Sequence, residues 1–234
     1  MTDRPEPRSG PGLTPGHDDG RLVAPAASRN EVPIIDALAP LLGTRRGLML
    51  ELGSGTGQHI AAWAGAFPGL DWQPSDPFEQ HHDSIRAWVA HAACPNLRAP
   101  IWLDAAEDWP KLEPLAGVIS VNVIHITPWV VTEGIFRGAK QGLAPGGLLI
   151  FYGPFKENGV HTGDGNAAFD AKLRADDPAW GIRDLDDVSA VAADSGFTGP
   201  DVMPMPANNR LVIYRKQSAG RPEAIPPRQH VTRG

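Results

Sequence analysis

The stretch Leu48-Met49-Leu50-Glu51-Leu52-Gly53-Ser54-Gly55-Thr56-Gly57 decides the fold. Its first five residues are apolar except Glu51, a short run that reads as a strand covered on both faces. The glycines permit a tight turn and let a ligand lie against the backbone. Ile60, Trp63, Ala64 and Phe67 then recur at helical spacing up to Pro68-Gly69. A dinucleotide-binding turn would place its third glycine at position 58, which is Gln58. The spacing is instead G-x-G-x-G, with the acid Glu51 two residues before the first glycine.

Outward from this turn, helical and strand patterns alternate. Upstream, Ser28 or Asn30 could cap a helix carried by Ile34, Ile35, Leu38, Leu41 and Leu42 as far as Gly43. Downstream, Leu70 to Pro74 reads as a strand ending at Ser75-Asp76, Phe78 to Cys94 as a helix, and Pro100 to Leu103 as a short strand before Asp104. Val118 to Ile124 is uncharged and β-branched, the pattern of a fully buried strand. A helix starting at Pro128 and running to Gly142 precedes the strand Leu148 to Tyr152. About 30 polar and glycine-rich residues then interrupt the pattern, with a helix at Asn166 to Arg174; so long an insertion, over 154–183, suits a functional lid. The helix Leu185 to Ser195 and the strands Phe197 to Met203 and Leu211 to Arg215 complete the series. The alternation predicts an α/β fold, a mostly parallel sheet with helices on both faces. Residues 1–27, with five prolines, read as a flexible arm and 217–234 as a flexible tail, leaving 28–216 as one domain.

The 234 residues are 41% hydrophobic and 21% charged, which excludes a fibre or a wholly disordered chain. Lys and Arg number 21 against 27 acids, a formal charge of −6, the wrong sign for coating phosphates; no nucleic-acid partner is expected. Cys94 is the single cysteine, so no internal disulfide forms and a reducing compartment fits. The start lacks an apolar signal region, and the apolar stretch Leu115 to Val131 is broken by Asn122, His125 and Pro128. Neither a signal peptide nor a membrane contact is expected, and the location expected is cytoplasmic.

The glycine spacing with its upstream acid resembles motif I of class I S-adenosylmethionine (SAM) methyltransferases. The resemblance extends through Arg29-Asn30, ELGSGTGQH, WQPSD, TEGIFRGA, YGPF with Asn158-Gly159, NAAFDAKLR, WGIRD and MPANN, over about Ala27 to Lys216. These strings are similar to those of a domain-of-unknown-function family within the SAM-dependent methyltransferases that includes the human methyltransferase-like protein 26. The resemblance implies a Rossmann-like class I methyltransferase fold with seven strands, the last antiparallel, and SAM as cofactor with S-adenosylhomocysteine (SAH) as product. It implies no established acceptor. The loop residues Gly53, Ser54, Gly55 and Gly57 would wrap the methionyl end, with Glu51 near its ammonium through water or backbone. Asp76, 25 residues after Glu51, would accept from the ribose hydroxyls, and Asp104 would receive the adenine amino group; either could instead be a solvated turn aspartate. Asn122 would complete the donor site. Arg29 and Asn30 precede the first helix, where Asn30 would close over the donor pocket or serve as an N-cap, with Arg29 toward the substrate.

Methyl transfer needs alignment and exclusion of water, and a base only for a protonated nucleophile. The acceptor is expected above Asn122 to Trp129 and Tyr152 to Asn158. His125 ends an apolar strand and titrates near neutrality when unperturbed, a candidate base or orienting group, or else a hydrogen-bonded structural histidine. Tyr152 is a second catalytic candidate or a packing residue. Asn166, Asp170 and Arg174 share one helical face and could address a polar acceptor; Asp170 and Arg174 could equally be a surface ion pair. Trp129 and Trp180 are candidate walls. His59, His81, His82, His91 and His161 form no recognisable metal constellation, and no metal is expected. Asn208-Asn209 would shape the turn before the last strand or reach the acceptor. The leading expectation is a methyltransferase for a small-molecule thiol, amine, hydroxyl or carboxylate in a lidded pocket. A non-catalytic SAM-binding or scaffold protein and a nicotinamide-dependent oxidoreductase are the alternatives.

Overall fold

β1 (Gly47–Leu52) is an inner strand of a seven-stranded sheet, since Leu48, Met49, Leu50 and Leu52 all need cover and all are buried. The computed structural model describes residues 14–15 and 19–217. The other strands are β2 (Leu70–Asp76), β3 (Ile101–Trp102), β4 (Leu115–Val121), β5 (Leu143–Pro154), β6 (Phe197–Met205) and β7 (Asn209–Lys216). Their spatial order is β3-β2-β1-β4-β5-β7-β6. β1 to β5 run parallel, and β7 lies antiparallel to both β5 and β6, as the expectation of an antiparallel last strand has it. The edge strand β6 carries Pro200 and Pro204 and a register shift between Thr198 and Asp201, features that discourage pairing with another chain. The strand order reverses between β1 and β4. That switch point opens a crevice at the carboxyl edge, and the glycine loop stands in it.

Helices α1 (Pro25–Leu42), α2 (Gln58–Ala66) and α3 (Glu79–Ala92) cover one face, with Ile34, Leu38, Ile60 and Trp63 packed against Met49, Ile119 and Ile150. Helices α4 (Trp129–Gly142) and α6 (Leu185–Asp194) cover the other, where Ile135, Phe136 and Val188 meet Leu50, Val118 and Phe151. Between β5 and α6 lies the insertion. It holds a small hairpin, Lys156–Glu157 with Val160–His161, turned by Asn158 and Gly159 at positive φ, and helix α5 (Asp164–Asp176).

Three sequence expectations need correction. Neither Ser28 nor Asn30 caps α1, which begins earlier with Pro25 in its first turn after the extended Ala24; proline is favoured there because its missing N–H has no helical partner to lose. Residues 19–27 do not belong to an arm, because Arg21 and Ala27 are buried and Leu22 is hydrogen-bonded to α3. β4 stops at Val121, not Ile124, because Asn122 turns into the left-handed region at φ 61° and starts a single 3-10 turn. The remainder of the arm expected at 1–27, apart from Thr14–Pro15, and the tail expected at 217–234, apart from Gln217, lie outside the described residues.

Candidate functional site

Glu51 is the second-to-last residue of β1 and only 2% exposed. Burial, outweighing a hydrogen bond to Ser54 and added to by nearby Asp76, pushes its carboxyl up to about 8. Its Oε2 has no hydrogen-bond partner. A buried acceptor of this kind costs stability unless something satisfies it, and a cation does so best. Next to it, Ser54 accepts from Ser75 N–H at 3.2 Å, which ties the loop to β2, and Gly53 follows β1 at φ 65°. Gly57, at φ 89°, has Ile85 of α3 so close that a Cβ would fall 2.9 Å from its Cα. Gly55 differs: at φ 54° a Cβ there would meet nothing within 4 Å, so the loop presents bare backbone to open space.

Asp76 ends β2 on the far side of the loop. It is 2% exposed and accepts from Gly55 N–H (2.9 Å), Phe78 N–H (2.9 Å) and His81 Nδ1 (2.9 Å), while His82 Nε2 reaches its carbonyl at 2.9 Å. Expected to be open to ribose, it already has three contacts; a carboxylate has room for about four, so one remains. Asp104 accepts from Ala106 N–H at 2.9 Å, closing its own turn. Asn122 stands at the carboxyl end of β4, its N–H donating to Tyr152 O at 2.8 Å. Arg29 is exposed and Asn30 half-buried, both in the first turns of α1. A buried carboxyl with one unpartnered oxygen, a glycine with open space beside it and the buried Asp76 thus come together at the carboxyl edge of the sheet, groups whose chemistry suits a cationic ligand.

The acceptor side reads differently. His125 is fully buried, and desolvation together with the Arg183 guanidinium pushes it down to about 3, away from the neutral range of an unperturbed histidine. Its Nδ1 accepts from Arg183 N–H at 3.4 Å, its ring meets Phe155 edge-on at 5.1 Å, and its Nε2 has no partner. Tyr152 is 1% exposed, its hydroxyl accepts from Asn209 Nδ2 at 3.1 Å, and burial raises its pKa.

The three lid residues expected to address an acceptor are tied to the protein instead. Asn166 Nδ2 donates to Thr162 Oγ1 (2.9 Å) and to Asn208 O (3.2 Å), fastening α5 to the Pro206–Asn208 turn. Asp170 accepts from Ile182 N–H at 2.7 Å and has Lys156 Nζ at 3.0 Å, Arg174 Nε at 3.2 Å and His161 Nε2 at 3.3 Å around it. Burial would raise its carboxyl, but these donors outweigh it and hold it below the ordinary value. Arg183, within the quoted WGIRD string but not singled out, donates to Ile124 O (2.8 Å), Thr127 O (2.6 Å) and Ala179 O (2.8 Å). It thereby laces the insertion to the segment after β4. Trp129 lies under the Arg183 guanidinium at 5.6 Å and lines, with Arg174, Lys156 and Asp187, a cavity of about 570 Å³ between the lid and α6. Trp180 is half-buried at the turn leading to Gly181. Among the described residues no cluster of His, Cys, Asp or Glu is placed to hold a metal.

Residues 21–216 match the family described as "Protein of unknown function (DUF938)". The chain belongs to this family. In the DUF938 chain the shared segment starts a few residues before α1 and ends with β7, so it takes in the whole sheet. Among solved structures it resembles an O-methyltransferase family protein from Burkholderia thailandensis (TM-score 0.71, 17% identity, 83% of this chain and 58% of that one). Human N-acetylserotonin methyltransferase, solved in complex with SAM, gives 0.68 at 14% identity, covering 82% and 53%. An O-methyltransferase family 2 protein from Planctomyces limnophilus, solved with apigenin, gives 0.64 at 16% identity, covering 72% and 49%. What is shared at such identities is the Rossmann-like methyltransferase fold, and the chain spans between 49% and 58% of the length of these three structures.

Proposed function

We propose that this DUF938 protein is a SAM-dependent methyltransferase acting on a small-molecule nucleophile beside the 154–183 lid. One observation carries the reading: the open glycine loop lies between two buried carboxyl groups, and Glu51, whose Oε2 has no partner in the protein, would be drawn into its charged form by the ammonium of the methionyl end. When bound, SAM supplies an electrophilic methyl group on a sulfonium. Gly55 and Gly57 would take the methionyl chain along bare backbone, Asp76 the ribose, and Asp104 and Asn122 the base and sulfonium ends. The Arg183 lacing would hold the lid over the segment after β4 and exclude water. His125, neutral with Nδ1 accepting, keeps its proton on Nε2 and orients rather than abstracts. Arg29, Trp129 and Trp180 are proposed as substrate contacts, Trp129 with Arg174 at the lid cavity. The relation to human methyltransferase-like protein 26, a reducing cytoplasmic location and the absence of a nucleic-acid partner belong to the same proposal. No helix among the described residues is long and apolar enough to cross a membrane.

Calorimetry with SAH and with NADH tests the donor: SAH should bind and NADH should not, and the reverse would restore the oxidoreductase reading. A screen of small metabolites for SAH release then tests turnover. A second reading, SAM binding without catalysis, is favoured by the burial of both catalytic candidates, His125 at 0% and Tyr152 at 1% exposure. SAH affinity with no release from any acceptor would support it.

A further inference from the structure

Position 58, where a dinucleotide site would want its third glycine, is the best-connected side chain behind the loop. Gln58 is 5% exposed. Its Oε1 accepts from Ala24 N–H at 2.6 Å and from Thr56 Oγ1 at 3.3 Å, and its Nε2 donates to Ser28 Oγ at 3.2 Å. One amide therefore joins the glycine loop to the segment that leads into α1. A second link runs parallel to it: Ser84 Oγ of α3 donates to Thr56 O at 2.7 Å and accepts from Leu22 N–H at 2.9 Å. A third fixes the outer end, with Trp88 Nε1 donating to Leu22 O at 2.9 Å and the Arg21 guanidinium 4.7 Å from the Trp88 ring centre. Thr56 thus has both its hydroxyl and its carbonyl engaged by groups that also hold residues 22–28. Its neighbour Gly55 is held from the other side by Asp76.

We infer that Gln58 is a positioning residue for the methyl donor, acting through Thr56 and through a strap formed by residues 19–28 that braces the glycine loop from behind. The inference rests on the donor reading above. The loop's backbone must keep its positive-φ turns for a ligand to lie along it, and glycines alone do not hold a conformation, since they have the most freedom to lose. The strap supplies the missing constraint. Coupling of this kind is reciprocal, so a bound donor orders the strap as much as the strap orders the loop.

The test uses the full chain and SAH. Gln58→Leu keeps an apolar body of similar size and leaves Ala24 N–H and Thr56 Oγ1 without their acceptor; it should raise the SAH dissociation constant at least tenfold. Ser84→Ala should raise it several-fold and Ser28→Ala, on the exposed side, less than threefold. Hydrogen exchange supplies a readout that mere destabilisation would not: SAH should slow exchange of the Leu22 and Ala24 amides in the native chain and fail to do so in Gln58→Leu. Should Gln58→Leu not fold, Ser84→Ala decides by the same two readouts. Native-like affinity in these variants, or a strap whose exchange ignores SAH in the native chain, overturns the inference. A native chain without affinity for SAH sinks the donor reading instead, and the strap's role with it.

Discussion

Around Gly55 the carboxyl edge of the sheet keeps hydrogen-bonding capacity in reserve, with Glu51 Oε2 unpartnered and open space beside the glycine. Across the crevice, in the insertion, the groups around Asp170 and Arg183 are matched to partners, although His161 Nδ1 is left without one. Asp170 has donors from Lys156, His161, Arg174 and Ile182, and Arg183 spends its guanidinium on three carbonyls. Both regions are rich in buried polar atoms, yet they behave oppositely. Satisfied networks specify a structure, while an unsatisfied group next to open space marks where a ligand belongs.

The comparison predicts opposite outcomes for single substitutions. Asp170→Ala strands Lys156, His161 and Arg174 without their anion and should cost about 3 kcal/mol, read by urea unfolding, because uncompensated charge is left behind. A stable Asp170→Ala variant would mean that the lid is not self-satisfied after all. Glu51→Gln should go the other way. Between the ordinary carboxyl value of 4.5 and about 8 the folded chain holds a proton that the unfolded chain has released, so stability falls as pH rises through that window. Removing the titration should stabilise the ligand-free chain at pH 7 by on the order of 2 kcal/mol while weakening SAH binding; loss of both stability and affinity would make Glu51 structural.

Asp76→Ala should weaken SAH by about 1–3 kcal/mol, measured by calorimetry, since it removes the anchor of Gly55 N–H along with the proposed ribose partner. The smallest effect concerns His125. Held at about 3, it is neutral throughout the physiological range, so the pH–rate profile should carry no step near 6.5 assignable to it. The unfolded chain takes up that proton between 6.5 and 3 and the folded chain does not, so stability should decline as pH falls through this window. A rate inflection near 6.5 that disappears in His125→Gln would restore the base.

The same contrast explains what could be read from sequence. β1 and its glycine loop are local features, an apolar run ended by spaced glycines, and the two carboxylates flank them at fixed distances along the chain. The lid is not local. The Asp170–Arg174 pair is visible at i and i+4, but Lys156 and His161 reach Asp170 from a hairpin, and Arg183 finds its carbonyls across the crevice at Ile124 and Thr127. His125 was a candidate base because burial has no signature in a single residue type. In the sequence Gln58 shows only as a missing glycine, since its partners at Ala24 and Ser28 lie some thirty residues away. The signal that could have found it is its position, a long amide directly after a glycine turn.

Among the described residues β7 is the last strand in chain order, yet it does not sit at the rim: it is inserted between β5 and β6. A ribosome that has released everything up to Met205 has therefore delivered two parts of a sheet that cannot join. The zip closes only once residues 209–216 have emerged, so until then the nascent sheet keeps β5 uncovered along one side.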